Sequence, residues 1–132
     1  MPFDGTQVPE KALAAKQPIY SPPAKARILI DALELLRRDG WCQGRIENNT
    51  GQHCILGAVY IANGVELGRD RQVVRTAEMQ QRAHDCQVMM QYEGRPINRY
   101  NDAPGRTFEE VETWFEEQIA RAMRGEDVPA SK

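Results

Sequence analysis

Cys54, His84 and the Asn101-Asp102 pair are the residues whose types could do chemistry together. A thiol activated by an imidazole, with a third side chain orienting the ring, is the arrangement of nucleophilic cysteine hydrolases. The chain carries cysteine, histidine and asparagine in that order. Cys54 also opens an apolar segment that reads as a helix, and N–H groups at a helix start favour a thiolate. The plainer account makes Cys54 a small buried hydrophobe, as free cysteines usually are. His84 has no recognisable motif beside it.

A second possibility is metal binding. Cys42, His53, Cys54, His84 and Cys86 are soft or borderline ligands, enough in number for a tetrahedral zinc site. Their spacing argues against one: there is no C-x-x-C, and residues two apart on a helix point to different faces. The expectation is therefore no metal and no cofactor.

Nucleic acid is a third. Thirteen of the 17 basic residues are arginine, the side chain suited to bidentate phosphate contacts. If residues 69–90 form one helix, Arg71, Arg75 and Arg82 share a side of it and could track a phosphate backbone. The plainer account is a solvated face with pairs such as Glu78 to Arg82. Finally, Asn101, Asp102 and Arg106 surround the start of the last helix, where N–H groups could hold an anion or a peptide carboxylate.

Elements must position these residues. Leu29, Ala32, Leu33 and Leu36 repeat at helical spacing after Ser21-Pro22, a cap and a tolerated first-turn proline, and Gly40 is placed as the stop. Between Trp41 and Cys54 a cluster of Asn48, Asn49, Thr50 and Gly51 separates two short segments and predicts a hairpin. Residues 54–62 are apolar on nearly every side, which predicts a central buried helix. Gly57 and Ala58 there would let another backbone come close. Residues 69–90 read as a longer, polar helix, 97–100 as a short extended piece. Thr107 and Glu110 form a capping box opening a last helix with Phe108, Val111, Trp114, Phe115, Ile119 and Ala122 on one face. Trp41 could be an exposed recognition aromatic; the plainer reading has it close the core.

The 132 residues suffice for one domain, with 41% hydrophobic and 27% charged residues, which excludes disorder and low complexity. A net charge of −2 gives the whole chain no pull toward nucleic acid or anionic membrane. No stretch approaches the roughly 20 apolar residues of a membrane span, and residues 1–20 lack a signal-peptide core. Three cysteines make no disulfide framework, so a reducing cytoplasm is expected and Asn48-Asn49-Thr50 is turn chemistry, not a glycosylation site.

Three spaced elements carry a resemblance. Gly40-Trp41-Cys42-Gln43-Gly44, then Cys54-Ile55-Leu56-Gly57-Ala58, then Asn101-Asp102-Ala103-Pro104-Gly105-Arg106-Thr107 with Glu110-Val111 resemble an uncharacterised family of small bacterial and phage proteins, a domain of unknown function with GWxxG, CxxGA and NDxPGRTxEEV elements. Tyr100 stands where that family usually has tryptophan. The resemblance implies a shared fold over roughly residues 24–122 and an accessory or mobile-element role, with no reaction attached.

The expectation is thus a mainly α protein: a single small domain of about four helices over residues 21–124, a short β-hairpin between the first and second, an N-terminal arm over 1–20 and a tail over 125–132. The second helix is expected between the first and last. The expected function is a non-catalytic interaction or accessory protein that binds a protein partner or self-assembles, with the third helix and the arm as contact surfaces. Nucleic-acid binding and a small cysteine hydrolase are the alternatives.

Overall fold

The computed structural model describes residues 22–126. The expected arm, the Ser21 cap and residues 127–132 of the expected tail lie outside them. Five helices and one two-stranded hairpin are present among the described residues: α1 (Pro22–Asp39), α2 (Ile55–Ala62), α3 (Ala77–Met89), β1 (Gln91–Tyr92), β2 (Arg95–Pro96), α4 (Ile97–Asn101) and α5 (Phe108–Met123).

The apolar stripe of α1 is buried as its spacing predicts, with Ile28, Leu29, Ala32, Leu33 and Leu36 all inside. The helix stops where Gly40 N–H donates back to Leu36 O at 2.8 Å. α1 is the central element, packing against both α5 and α2. α2 is covered on its other sides by α3 and α4, so the last helix lies along α1 and not against α2 as expected. Length explains this: eight residues of α2 span about 12 Å and cannot cover the roughly 24 Å of a sixteen-residue helix, whereas α1 can. Arg37 on α1 reaches Glu112 and Glu116 on α5 at 2.7 and 3.2 Å, a surface pairing that sets register more than stability.

Three local expectations are corrected. Residues 41–54 form no hairpin; they make isolated bridges from His53 to Trp41 and to Glu47. Asn48 Oδ1 accepts from the Thr50 and Gln52 N–H groups at 3.1 and 3.0 Å and from Thr50 Oγ1 at 2.9 Å, so its side chain takes bonds that a strand ladder would need. The antiparallel pair is β1 with β2, after the third helix, joined by Glu93 and Gly94 with φ of 52° and 74°, a turn in which both central residues are left-handed.

Residues 69–76 are not helical. Arg71 has φ 60°, the Gln72 N–H donates to Asp70 Oδ1 at 3.1 Å, and Leu67 bridges Val73. The β-branched Val73-Val74 pair favours this extended return, and α3 begins only where Thr76 Oγ1 accepts from Met79 N–H at 3.2 Å. Residues 97–100 belong to a short helix instead of an extended piece. Ile97, Tyr100 and Asn101 are its buried side, at i, i+3 and i+4.

Other caps match the sequence. Thr107 and Glu110 exchange both bonds of the capping box, at 3.0 and 3.2 Å. The first residues of the expected tail, Gly125 and Glu126, instead complete the stop of α5 by donating to Ala122 O and Arg121 O at 3.0 and 2.9 Å.

Gly57 is a tight point of the fold. A Cβ there would meet the backbone carbonyl of Ile46 well inside contact distance, because the 41–54 loop crosses α2 at this residue. In an exposed helix Gly→Ala stabilises by about 1 kcal/mol. Here the sign is expected to reverse: Gly57→Ala should lower the unfolding free energy by about 1–3 kcal/mol in urea titration. A variant as stable as the parent would show that the loop does not cross where it is placed.

Candidate functional site

Asn101 ends α4 and is fully buried. Its Oδ1 accepts from Trp41 Nε1 at 2.7 Å and from the Ile55 N–H at 2.9 Å. Its Nδ2 donates to Cys42 O at 3.2 Å and to Asp102 Oδ1 at 2.7 Å. Both lone pairs and both protons of the carboxamide are therefore used. Around it, Gln43 Nε2 donates to the carbonyls of Asn101 and Ala103 at 2.9 and 3.1 Å, and Gly44 N–H donates to Asp102 Oδ1 at 2.9 Å. One side chain thus joins the 41–44 loop, the start of α2 and the turn before α5, the three segments that carry the spaced elements of the sequence.

A family model matches residues 21–121. The chain belongs to DUF6197, a family of unknown function. No curated protein and no solved structure matches it. Membership in DUF6197 covers nearly all of the described fold and assigns no reaction to the junction at Asn101.

The start of α2 is closed by three groups: Ile46 O accepts from Cys54 N–H at 3.3 Å, Cys54 Sγ accepts from Gly57 N–H at 3.3 Å, and Asn101 takes Ile55 N–H. Cys54 does sit at a helix start, yet burial outweighs the hydrogen bonds from Gly57 and Leu56 and pushes its thiol up to about 11. The expected thiolate is therefore not favoured there. No hydrogen bond joins Cys54 to an imidazole among the described residues. His84 is exposed on α3, and Asn101 faces Trp41 and Ile55 in place of a histidine ring. The Cys-His-Asn order is not assembled into a relay.

Cys86 is buried under α3, accepts from Asn63 Nδ2 at 3.5 Å and is pushed up to about 12 by burial. Cys42 is half-buried, donates toward Arg45 O and Gln52 O, and is also raised, chiefly by desolvation. His53 is buried with Nε2 3.6 Å from Asp39 Oδ2. Among the described residues no three His, Cys, Asp or Glu side chains are grouped to hold a metal ion.

The arginine stripe is broken, because only Arg82 lies on α3. Arg71 sits in the left-handed turn 3.8 Å from Glu47, Arg75 is exposed ahead of the Thr76 cap, and Arg82 is bonded to Glu78 at 3.0 Å. The proposed anion or peptide site around Asn101, Asp102 and Arg106 is likewise occupied from within. The Arg106 guanidinium lies 3.8 Å over the Tyr100 ring, donates to Tyr100 O at 2.9 Å and pairs with Glu110 at 3.4 Å. Trp41 is half-buried, stacked 6.3 Å from Phe108, which supports its role in closing the core.

Beside the junction lies a cleft of about 260 Å³ that sequence reasoning missed. Arg45, Gln72, Asn98 and Asp102 bring polar groups to it, with Ile46, Leu56 and Cys54 among its other lining residues. Of these only Cys54 and Asp102 stood out in the sequence. The others are ordinary surface residue types whose meeting depends on four separate segments.

The thiols supply a direct test. Iodoacetamide near neutral pH is expected to modify Cys42 first and to spare Cys54 and Cys86 while the chain is folded. Because only the thiolate reacts, the rate at Cys54 should climb about tenfold per pH unit toward its raised value. Preferential modification of Cys54 near neutral pH would contradict this assignment.

Proposed function

We propose that this DUF6197 protein is a non-catalytic interaction protein that self-associates through the outer face of α3. The observation that carries this reading is the character of that face. From Gln80 to Val88 its exposed positions are Gln80, Gln81, His84, Gln87 and Val88, none of them carrying a fixed charge, and Val88 is 58% exposed. Arg82 is drawn back to Glu78, and Asp85 accepts from Gln81 Nε2 at 3.0 Å. The outer sides of α1 and α5 differ in charge, with Arg27, Glu34, Arg37 and Arg38 on one and Glu109, Glu116 and Glu117 on the other, where the exposed Met123 stands at the helix end.

Depletion of charge with an apolar group at the centre marks the inner part of protein interfaces. A neutral face also suits a two-fold contact with its own copy, since no like charges are brought opposite one another. The patch is one helix wide, well below the roughly 800 Å² per partner of a standard interface, so the association belongs to the weak, concentration-dependent class. The buried thiols and the internally bonded Asn101 support the non-catalytic part of the reading. An accessory role in a bacterial or phage setting rests on the motif resemblance.

Sedimentation velocity of the full chain over a concentration series tests this. A reversible dimer is expected, and Val88→Arg should weaken it by about tenfold or more by opposing like charges across the axis. A single monomeric species at every concentration, or a dimer indifferent to Val88→Arg, would overturn the proposal.

A further inference from the structure

The cleft beside Asn101 is separate from the α3 face and has a chemistry of its own. Around the junction, polar side chains are bonded internally: Gln43 to two carbonyls, Asn48 to Gln52, and Asn101 at all four positions. The side chains of Arg45, Gln72 and Asn98 differ. None of them has a hydrogen bond or ion pair within the described residues, and all three line the cleft. Asp102 is half engaged: Oδ1 accepts from Gly44 N–H and Asn101 Nδ2, which fixes the carboxylate and leaves Oδ2 to accept from elsewhere.

We infer that this cleft binds a small zwitterion, a free aliphatic α-amino acid. The cleft offers one cation, Arg45, and one anion, Asp102, that do not pair with each other among the described residues. A simple anion would meet the Asp102 carboxylate and a simple cation the Arg45 guanidinium. A ligand bearing both charges satisfies both, its carboxylate on the guanidinium and its ammonium on Asp102 Oδ2. The amides of Gln72 and Asn98 can donate to the ligand carboxylate or accept from its ammonium. Ile46 and Leu56 give an apolar wall suited to an aliphatic side chain. The volume of about 260 Å³ falls below the range of roughly 300–1,000 Å³ typical of drug-sized ligands, which favours a single amino acid over a peptide or nucleotide.

Amide chemical shifts of the full-length ¹⁵N-labelled chain test the inference, with Val, Leu, Ile and Ala added singly at millimolar concentration. At least one is expected to move the Gly44, Arg45 and Asn98 signals in a saturable way. The N-acetyl and carboxamide derivatives of that amino acid, each lacking one charge, should not. Arg45→Ala, at an exposed position, should keep the rest of the spectrum and weaken binding by about tenfold or more; Gln72→Ala should weaken it less. No saturable shift with any of the four, equal shifts with the blocked derivatives, or unchanged affinity in Arg45→Ala would overturn it. None of these outcomes depends on whether the chain dimerises.

Discussion

Burying a carboxamide without partners costs about 2–7 kcal/mol, a cost that a fully buried asparagine escapes by finding hydrogen bonds inside the fold. Asn101 finds all four, one with its neighbour Asp102 and three with two segments far away in the chain. Trp41, Cys42 and Ile55 lie 60, 59 and 46 positions away. Much of the rest of the fold follows from that constraint. The 41–54 loop is held against α2, which brings the Ile46 carbonyl onto Gly57 and leaves room for glycine alone there. The turn before α5 is held against the same loop through Gln43 and Asp102.

The same arrangement explains why the most chemically suggestive residues are quiet. α2 is eight residues long and its first turn is largely buried, with Ile55, Gly57 and Ala58 inside, so its leading N–H groups must be met without water. Cys54 Sγ, Ile46 O and Asn101 Oδ1 meet three of them or their neighbours, and sulfur in that role is a buried acceptor. Desolvation then holds the thiol protonated against the pull of the helix start. Arg106, which the residue type would suit for anion binding, is stacked on Tyr100 and bonded to its carbonyl, and so props the turn into α5.

Features governed by local rules were legible in the sequence. The α1 stripe, the capping box at Thr107, the stop after Gly40 and the Asn48 turn each rest on a few neighbouring residues, and each is present; at Gly57 the small residue was legible, but not that the Ile46 backbone crosses it. Features governed by competition or by distant partners were not. The Asn-Thr-Gly cluster of residues 49–51 is a stronger turn signal than Glu93-Gly94, yet the ladder forms at the latter because Asn48 draws the loop into side-chain bonds. The helix expected from residue 69 starts at 77, because Asp70 and the Val73-Val74 pair favour a turn and an extended return that local polarity does not reveal. The junction at Asn101 was visible only as three spaced elements; their meeting is a tertiary fact. Arg45, Gln72 and Asn98 left no trace at all, since nothing in their neighbours distinguishes them from other surface residues.

Hydrogen exchange at two protons bears most directly on the central role of Asn101: the Trp41 indole Nε1–H and the Ile55 amide, both of which donate to its Oδ1. If the junction holds the fold together, the two should exchange only through global unfolding, with protection free energies equal to each other and to the stability measured in denaturant. Exchange of either proton through a cheaper local opening, while core amides of α1 stay protected, would contradict the account and reduce Asn101 to a peripheral clasp.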